Sequence, residues 1–565
     1  MSTTEYRVKA PARRPKLPRP PVGITSRRIP PHLWVLALLT VLAAVLRFAT
    51  IGVQSYWADE ALTAYEVHLP FGAMLSAVAH NETTPPLYFL VAWAWAHVFG
   101  TGEATLRSLS ALPGVAVVPI AYLCGRDLVS RRAGVIAAAL AAVNPFLIWY
   151  SQEARAYMLL IALTGASFLF FVRAERDPSK RNIIGWTVFS ALALSTHFFA
   201  GFLVAPEAAW LLWRARSREA VIAAGTVAVT QAALIPLAVG DTGHGVGWIH
   251  RIPLLSRIAE VPTEFAVSTI YRHVSIPEGL WGGAIMIAVA VLLLTIAGGH
   301  AERRGACVAG ALAAIVICVP LLLALARPAD DFYLVRNLSP AWIPLSVVLA
   351  AAFAAPRARD VGVAGASVLL VVFMFATIEI DRNPDFQRAD WRRVAGVLGA
   401  SSEPRAILIA GGQEATALKI FLPGVSWVQP PSTEPLVFDQ IAVVGSISRA
   451  PLRGPDHRKG PALPVRVTPV AELLGQRWVR NFDIAGYRLD RPWRFDTRQI
   501  AARAGRFFGH APSNLLVLVQ RPSSRAPGPR VPARARLRRA PALGRRARPR
   551  HARHGRRRSA GPRPA

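Results

Sequence analysis

Two carboxylates stand side by side in the run Tyr56-Trp57-Ala58-Asp59-Glu60-Ala61, a few residues beyond the first long apolar segment. From Gln54 to Leu106 there is no lysine or arginine, yet Asp59, Glu60, Glu66, Glu82 and Glu103 all fall there. Later come Glu153 and Arg155 with Tyr157, then His197, then Tyr333 and Arg336, each at the edge of an apolar run. Charged groups near membrane depth are costly, so several that gather on one side point to chemistry. A carboxylate there can take the proton of an acceptor hydroxyl, and cationic groups can hold an anionic phosphate leaving group. A sugar activated on a lipid carrier needs those two services and little general-acid help.

Such residues need a membrane scaffold, and the composition provides one. Of 565 residues 53% are hydrophobic, with mean hydropathy +0.34, and the apolar residues come in repeated runs of span length. The net charge of +32 would suit a nucleic-acid partner until it is located. Residues 521–565 hold sixteen arginines and no acid, and the first thirty residues hold eight Lys or Arg against Glu5. Most of the excess therefore lies in two Pro-rich tails, 1–31 and 521–565, whose composition is that of disordered segments, and no nucleic-acid partner is expected. Cys124, Cys307 and Cys318 all sit in apolar runs, which argues against a disulfide framework.

Arg27 and Arg28 precede the first helix, 32–52, and set the amino terminus in the cytoplasm, so the acidic loop 53–103 faces outside. The apolar stretch 86–100 is about fifteen residues, short of the ~17 that span hydrocarbon. Read as interfacial or re-entrant, it leaves the basic loops around Arg126/Arg131/Arg132, Arg173/Arg176/Lys180/Arg181, Arg214/Arg216/Arg218, Arg303/Arg304 and Arg357/Arg359 all inside. The expected fold is then an all-α polytopic membrane protein of about eleven spans over 32–380: the first helix, then 104–124, 133–150, 156–174, 182–197, 199–213, 220–239, 280–299, 305–326, 338–355 and 361–380. Residues 253–268 suit a helix lying on the bilayer surface. A small α/β extracytoplasmic domain is expected over 381–520, with a helix at Trp391 and strands at Ala406–Ala410, Gln440–Val444 and Leu515–Val519.

Five stretches in order, Trp57-Ala-Asp-Glu-Ala, Pro85-Pro-Leu-Tyr-Phe, Leu106-Arg-Ser-Leu-Ser-Ala-Leu-Pro-Gly, Tyr150-Ser-Gln-Glu-Ala-Arg-Ala-Tyr and Ser195-Thr-His-Phe-Phe, resemble the protein O-mannosyltransferase-like glycosyltransferases of the GT-C fold, family 39 type. The resemblance covers roughly residues 40–380 and is stronger in its first half. It implies a glycosyltransferase that takes a mannose- or pentose-class sugar from a polyprenyl-phosphate donor, at the outer face of the bacterial cytoplasmic membrane, to a hydroxyl on glycan, lipid or protein. By position it implies Asp59 as catalytic base with Glu60 beside it. It puts Glu82, Glu153, Arg155, Tyr157, Tyr333 and Arg336 among the donor or substrate contacts, and a divalent metal on Glu82 and His197.

Plainer readings compete. Asp59 could be the N-cap of a surface helix starting near Ala61, His197 could cap a tight turn, and Arg155 could simply pair with Glu153. A transporter or flippase of lipid-linked glycan is the alternative function; it would place polar groups on broken, repeated helices at mid-membrane, and no convincing repeat is seen. A non-catalytic assembly partner is a third.

Overall fold

The computed structural model describes residues 30–240, 249–327, 331–409, 417–422, 424–428, 435–446, 471–479, 482–496, 499–500, 503, 508 and 515–522. Residues 1–29 and 523–565, nearly all of the two tails whose disorder the composition suggested, lie outside the described residues. The helices are α1 (Pro31–Phe48), α2 (Ala58–Glu66), α3 (Phe71–Asn81), α4 (Leu87–Phe99), α5 (Glu103–Leu128), α6 (Arg131–Val143), α7 (Pro145–Ser151), α8 (Tyr157–Arg176), α9 (Lys180–Thr196), α10 (Gly201–Ala215), α11 (Arg218–Gly240), α12 (Leu254–Val267), α13 (Ile276–Ile296), α14 (His300–Ala326), α15 (Trp342–Phe353), α16 (Arg359–Arg382), α17 (Trp391–Leu398) and α18 (Leu418–Phe421).

Among the described residues eight helices are long and apolar enough to cross a membrane, or nine if the bent pair α6–α7 is one span. This corrects the expected eleven. The apolar runs at 182–197 and 199–213 do form helices, but α9 and α10 have only 17 and 15 residues. Helix α4 is shorter still, at 13 residues, and its two ends are tied to one side. Tyr56 donates to the Thr101 carbonyl at 2.9 Å and Trp95 to that of Thr105 at 3.0 Å, so the chain returns to the level it left and α4 does not cross.

Two kinds of helix end are sorted to opposite poles. At one pole Arg173 Nε meets Asp127 at 2.8 Å, Arg304 donates to both oxygens of Glu175 at 2.8 Å, and Arg132 reaches the Arg359 carbonyl at 2.8 Å. These are four of the basic loops that the sequence reading put together. The other pole holds the acidic loop.

Helix α6 breaks at Asn144-Pro145 with a 55° bend. Proline has no N–H to give the α6 C-terminus, and Asn144 instead caps α7, its Oδ1 accepting from Leu147 N at 3.0 Å. The freed carbonyls of Ala141 and Ala142 are taken by the fully buried Arg47 of α1, each at 3.0 Å, with its Nε on the Ser151 hydroxyl at 3.1 Å. Gly114 permits this approach: a Cβ there would collide with the Ser151 hydroxyl. The break therefore fixes the direction of Ser151 and of the loop after it.

Past α16 the chain forms α17, then a six-stranded mixed sheet. Its strands are β1 (Arg405–Ile409), β2 (Val425–Val428), β3 (Leu436–Ser446), β4 (Ala471–Val479), β5 (Phe482–Phe495) and β6 (Leu516–Gln520), in order β2-β6-β1-β3-β5-β4. Only β1–β3 is parallel. The three expected strands are the middle of this sheet, β6-β1-β3. One buried apolar cluster joins Tyr56, Ala61, Tyr88 and Phe89 to Trp391, Ile407 and Leu518, so the sheet domain packs on the acidic loop.

Candidate functional site

Helix α2 begins one residue after Trp57, which is its N-cap, so Asp59 is a helical residue and not the cap considered from sequence. Successive helical positions point about 100° apart, and this separates the two carboxylates. Glu60 turns inward and is completely buried. Arg107 of α5 grips it with Nε at 2.7 Å and Nη2 at 2.6 Å, and Ala154 N donates to it at 2.8 Å. Burial alone would raise the Glu60 carboxyl; Arg107, then Arg388, hold it below its ordinary range. Arg107 also donates to the carbonyls of Ile51, Gln54 and Ser55, which pins the segment leading into α2 and Asp59.

Asp59 turns the other way, with its side chain 34% exposed, and the Arg336 guanidinium, 25% exposed, lies 3.6 Å from its Oδ2. Arg336 sits over the Tyr157 ring at 5.9 Å. Tyr157 packs between Tyr150, at 5.2 Å, and His197, at 5.9 Å, making an aromatic floor. On the far side Glu264 of α12 is half-buried and accepts from the Tyr150 hydroxyl at 3.1 Å. Burial pushes that carboxyl up to about 7, against the Tyr150 bond.

Arg155 and Glu82 form a bidentate pair with both bonds at 2.7 Å, and Arg155 also donates to Thr63 Oγ1 at 3.0 Å and to the Asp59 carbonyl at 3.5 Å. Burial would lower the Arg155 guanidinium, but Glu82 holds it well above its ordinary value. Arg155 therefore pairs with Glu82 and not with Glu153. Glu153 takes Arg388 at 2.9 Å, a residue from the chain just past α16, whose guanidinium lies 3.9 Å from the Trp149 ring centre. Burial raises the Glu153 carboxyl and Arg388 opposes the rise.

Two expectations are corrected. A metal on Glu82 and His197 does not fit: both Glu82 oxygens are held by Arg155, and no group of three or more His, Cys, Asp or Glu among the described residues could hold an ion. His197 instead accepts from Phe199 N through Nδ1 at 3.2 Å; burial, then Arg336 and Arg155, push it down to about 3. Its turn-capping reading is the one realised. Tyr333 is drawn away from the cluster, because Arg257 of α12 holds its carbonyl at 3.0 Å and Asp331 at 2.6 Å, and its buried ring stands near Arg257 and Cys318.

The sequence reading left Arg107, Arg388, Thr63, Tyr150 and Glu264 without roles. Arg107 had a signal, as the first Lys or Arg after 59 positions without one; Arg388, 235 residues from its partner, had none.

Residues 83–239 match the family described as dolichyl-phosphate-mannose-protein mannosyltransferase, in agreement with the resemblance carried by the motifs. Solved structures similar to the chain include an Archaeoglobus fulgidus oligosaccharyltransferase in complex with Zn and sulfate, at 13% identity and TM-score 0.34, covering 64% of this chain and 55% of that one. ArnT from Cupriavidus metallidurans bound to undecaprenyl phosphate gives 14%, 0.32, 71% and 97%. The S. cerevisiae protein O-mannosyltransferase Pmt1-Pmt2 complex bound to the sugar donor gives 18%, 0.30, 39% and 35%. The chain thus spans a little over half the length of the archaeal enzyme. No curated protein matches it in sequence.

Proposed function

We propose that this chain, a polyprenyl-phosphate-sugar-dependent membrane glycosyltransferase of the dolichyl-phosphate-mannose-protein mannosyltransferase family, passes a mannose- or pentose-class sugar to a hydroxyl acceptor with inversion, using Asp59 as general base. The reading rests on one observation above others: among Asp59, Glu60, Glu82 and Glu153, Asp59 alone has an accessible side chain, 34% exposed, with its arginine no nearer than 3.6 Å. A group that must receive a proton has to be reachable, and Glu60, Glu82 and Glu153 are buried and held.

In the proposed step the acceptor hydroxyl gives its proton to an Asp59 oxygen while its own oxygen bonds to the anomeric carbon. The bond from that carbon to the phosphate oxygen breaks on the opposite face, leaving polyprenyl phosphate, and Asp59 later releases the proton to water. Arg336 faces the departing phosphate and stabilises the charge that grows on it. The remaining groups position these two. Glu60 with Arg107 fixes the turn of α2, and Glu82 with Arg155 braces it from the side of Thr63. No step requires a metal held by Glu82 and His197.

Orientation follows the charge bias. Asp59 lies within the 53 residues from Gln54 to Leu106 that hold no Lys or Arg, the mark of a non-cytoplasmic segment. The acceptor is a hydroxyl on glycan, lipid or protein at that face.

The test is sugar transfer from a defined polyprenyl-phosphate sugar by the purified full-length chain. Asp59→Asn should lower the rate by about 10²–10⁴, the usual share of a general base, with unchanged detergent extraction and melting temperature. Wild-type transfer by that variant would end the assignment.

A further inference from the structure

The pole opposite Asp59 carries a cavity of about 360 Å³ that no step of sugar transfer uses. It lies where α13 ends and α14 begins, and its basic lining is His300, Arg303, Arg304 and Arg357; no described carboxylate lines it. The turn that shapes it is close-fitting, since a Cβ on Gly298 would press on the Leu294 carbonyl.

The four basic side chains fall into two pairs. Arg303 is fixed by the α13 C-terminus, its Nε on the Leu294 carbonyl at 2.9 Å and its Nη2 on that of Thr295 at 2.6 Å. Arg304 is fixed by Glu175 through two bonds of 2.8 Å. The side chains of His300 and Arg357 make no hydrogen bond or ion pair with another described residue, and both are exposed. The nearby acids are already engaged: Glu302 accepts from Gly299 N at 3.1 Å, and Glu175 holds Arg304. The cavity therefore has two arginines set in place, an arginine and a histidine uncommitted, and no anion among its described lining residues.

Beside it the last turns of α13 expose Leu292 at 55% and Ile296 at 68%. Exposed leucine and isoleucine on a span of mean hydropathy 2.3 are a surface for acyl chains. Cationic pockets between spans at this level suit acidic headgroups. We propose that this cavity binds an anionic phospholipid, its phosphodiester between Arg357, His300 and the fixed Arg303 and Arg304, and its acyl chains along α13. The adjoining apolar face is what favours a lipid over free phosphate.

The experiment compares the purified full-length wild type with the double variant His300→Ala, Arg357→Ala, which removes only the uncommitted pair, and with Arg491→Ala on β5 as a charge-matched control. Lipid retention is counted by native mass spectrometry after titration with phosphatidylglycerol, with phosphatidylcholine, and with inorganic phosphate. Wild type and control should retain phosphatidylglycerol over phosphatidylcholine. The double variant should bind it about fivefold or more weakly, since a surface arginine contributes roughly fivefold, with an unchanged melting temperature in lipid-free detergent. Equal retention in the double variant overturns the proposal. So does protection by millimolar inorganic phosphate equal to that by the lipid, which would mark a soluble-anion site. Sugar transfer is not the readout, so failure here leaves the role of Asp59 untouched, and the reverse.

Discussion

Asp59 and Glu60 share a peptide bond but occupy opposite environments. Glu60 is sealed among Arg107, Arg388 and a backbone N–H, with contacts down to 2.6 Å, whereas Asp59 stands at a rim with one arginine at 3.6 Å. The buried pair is desolvated on both sides, so its worth lies in specifying how α2 docks on α5 more than in net stability. The rim pair is partly hydrated and adds little to stability. The difference teaches a division of labour in a doubled carboxylate: one residue sets the geometry, and its neighbour is left accessible, which is why the proposed base is Asp59.

The sharpest way to break that contrast is to attack the sealed side. Arg107→Ala leaves Glu60 as an uncompensated buried charge and should cost about 3–5 kcal/mol, read as loss of a monodisperse peak in detergent along with loss of transfer. A well-folded Arg107→Ala protein would mean that Glu60 is not the anchor. Next is the open side. Asp59→Asn should shift stability by no more than about 0.5 kcal/mol despite its loss of 10²–10⁴ in rate, and a large stability loss would erase the distinction between the two residues.

The third test uses pH. His197 is held neutral when folded, near 3, against 6.5 when unfolded. Below pH 6.5 the unfolded chain binds the extra proton, so stability is full above that pH and falls as pH drops from 6.5 toward 3. At pH 5 the loss is about 2 kcal/mol, taking ~1.4 kcal/mol per pH unit. His197→Asn, which keeps an acceptor for Phe199 N, should flatten the melting temperature between pH 6.5 and 5; an unchanged slope would assign it to other groups. Smallest is Arg336→Lys, which keeps the charge and loses the planar fork. It should lower kcat/KM by about tenfold, ~1.4 kcal/mol, with unchanged melting temperature. No kinetic change would leave the donor phosphate to another cation.

Much of this molecule is legible from residue order. The gap in Lys and Arg between Gln54 and Leu106 marks the loop, the alternation of basic and acidic loops marks the two poles, and the short length of 86–100 together with that charge bias marks α4 as a helix that need not cross. The central strands β1, β3 and β6 are plain apolar runs, whereas β4 and β5 are hidden. Strand β5 carries Arg488, Asp490, Arg491 and Arg494, and the β4–β5 pairing is broken by a register shift at Leu473/Gly475. The same holds at the site. Asp59, Glu82, Arg155 and Arg336 stand out as charges at the ends of apolar runs, but the pairing of Arg155 with Glu82 instead of Glu153, two residues away, is a matter of packing. Arg388 carries no local mark at all.

The chain's hydropathy and the placement of its charges determine that it lives in a membrane, which loops share a side, and that an acidic pair meets that surface. Tertiary structure alone decides which member of the pair is open. A helix rotates about 100° per residue, so the two side chains cannot both face Arg107, which reaches Glu60 from 47 residues away on α5. Where that guanidinium lands is a property of the docked helices, and it leaves Asp59 facing Arg336 from a span nearly three hundred residues further on.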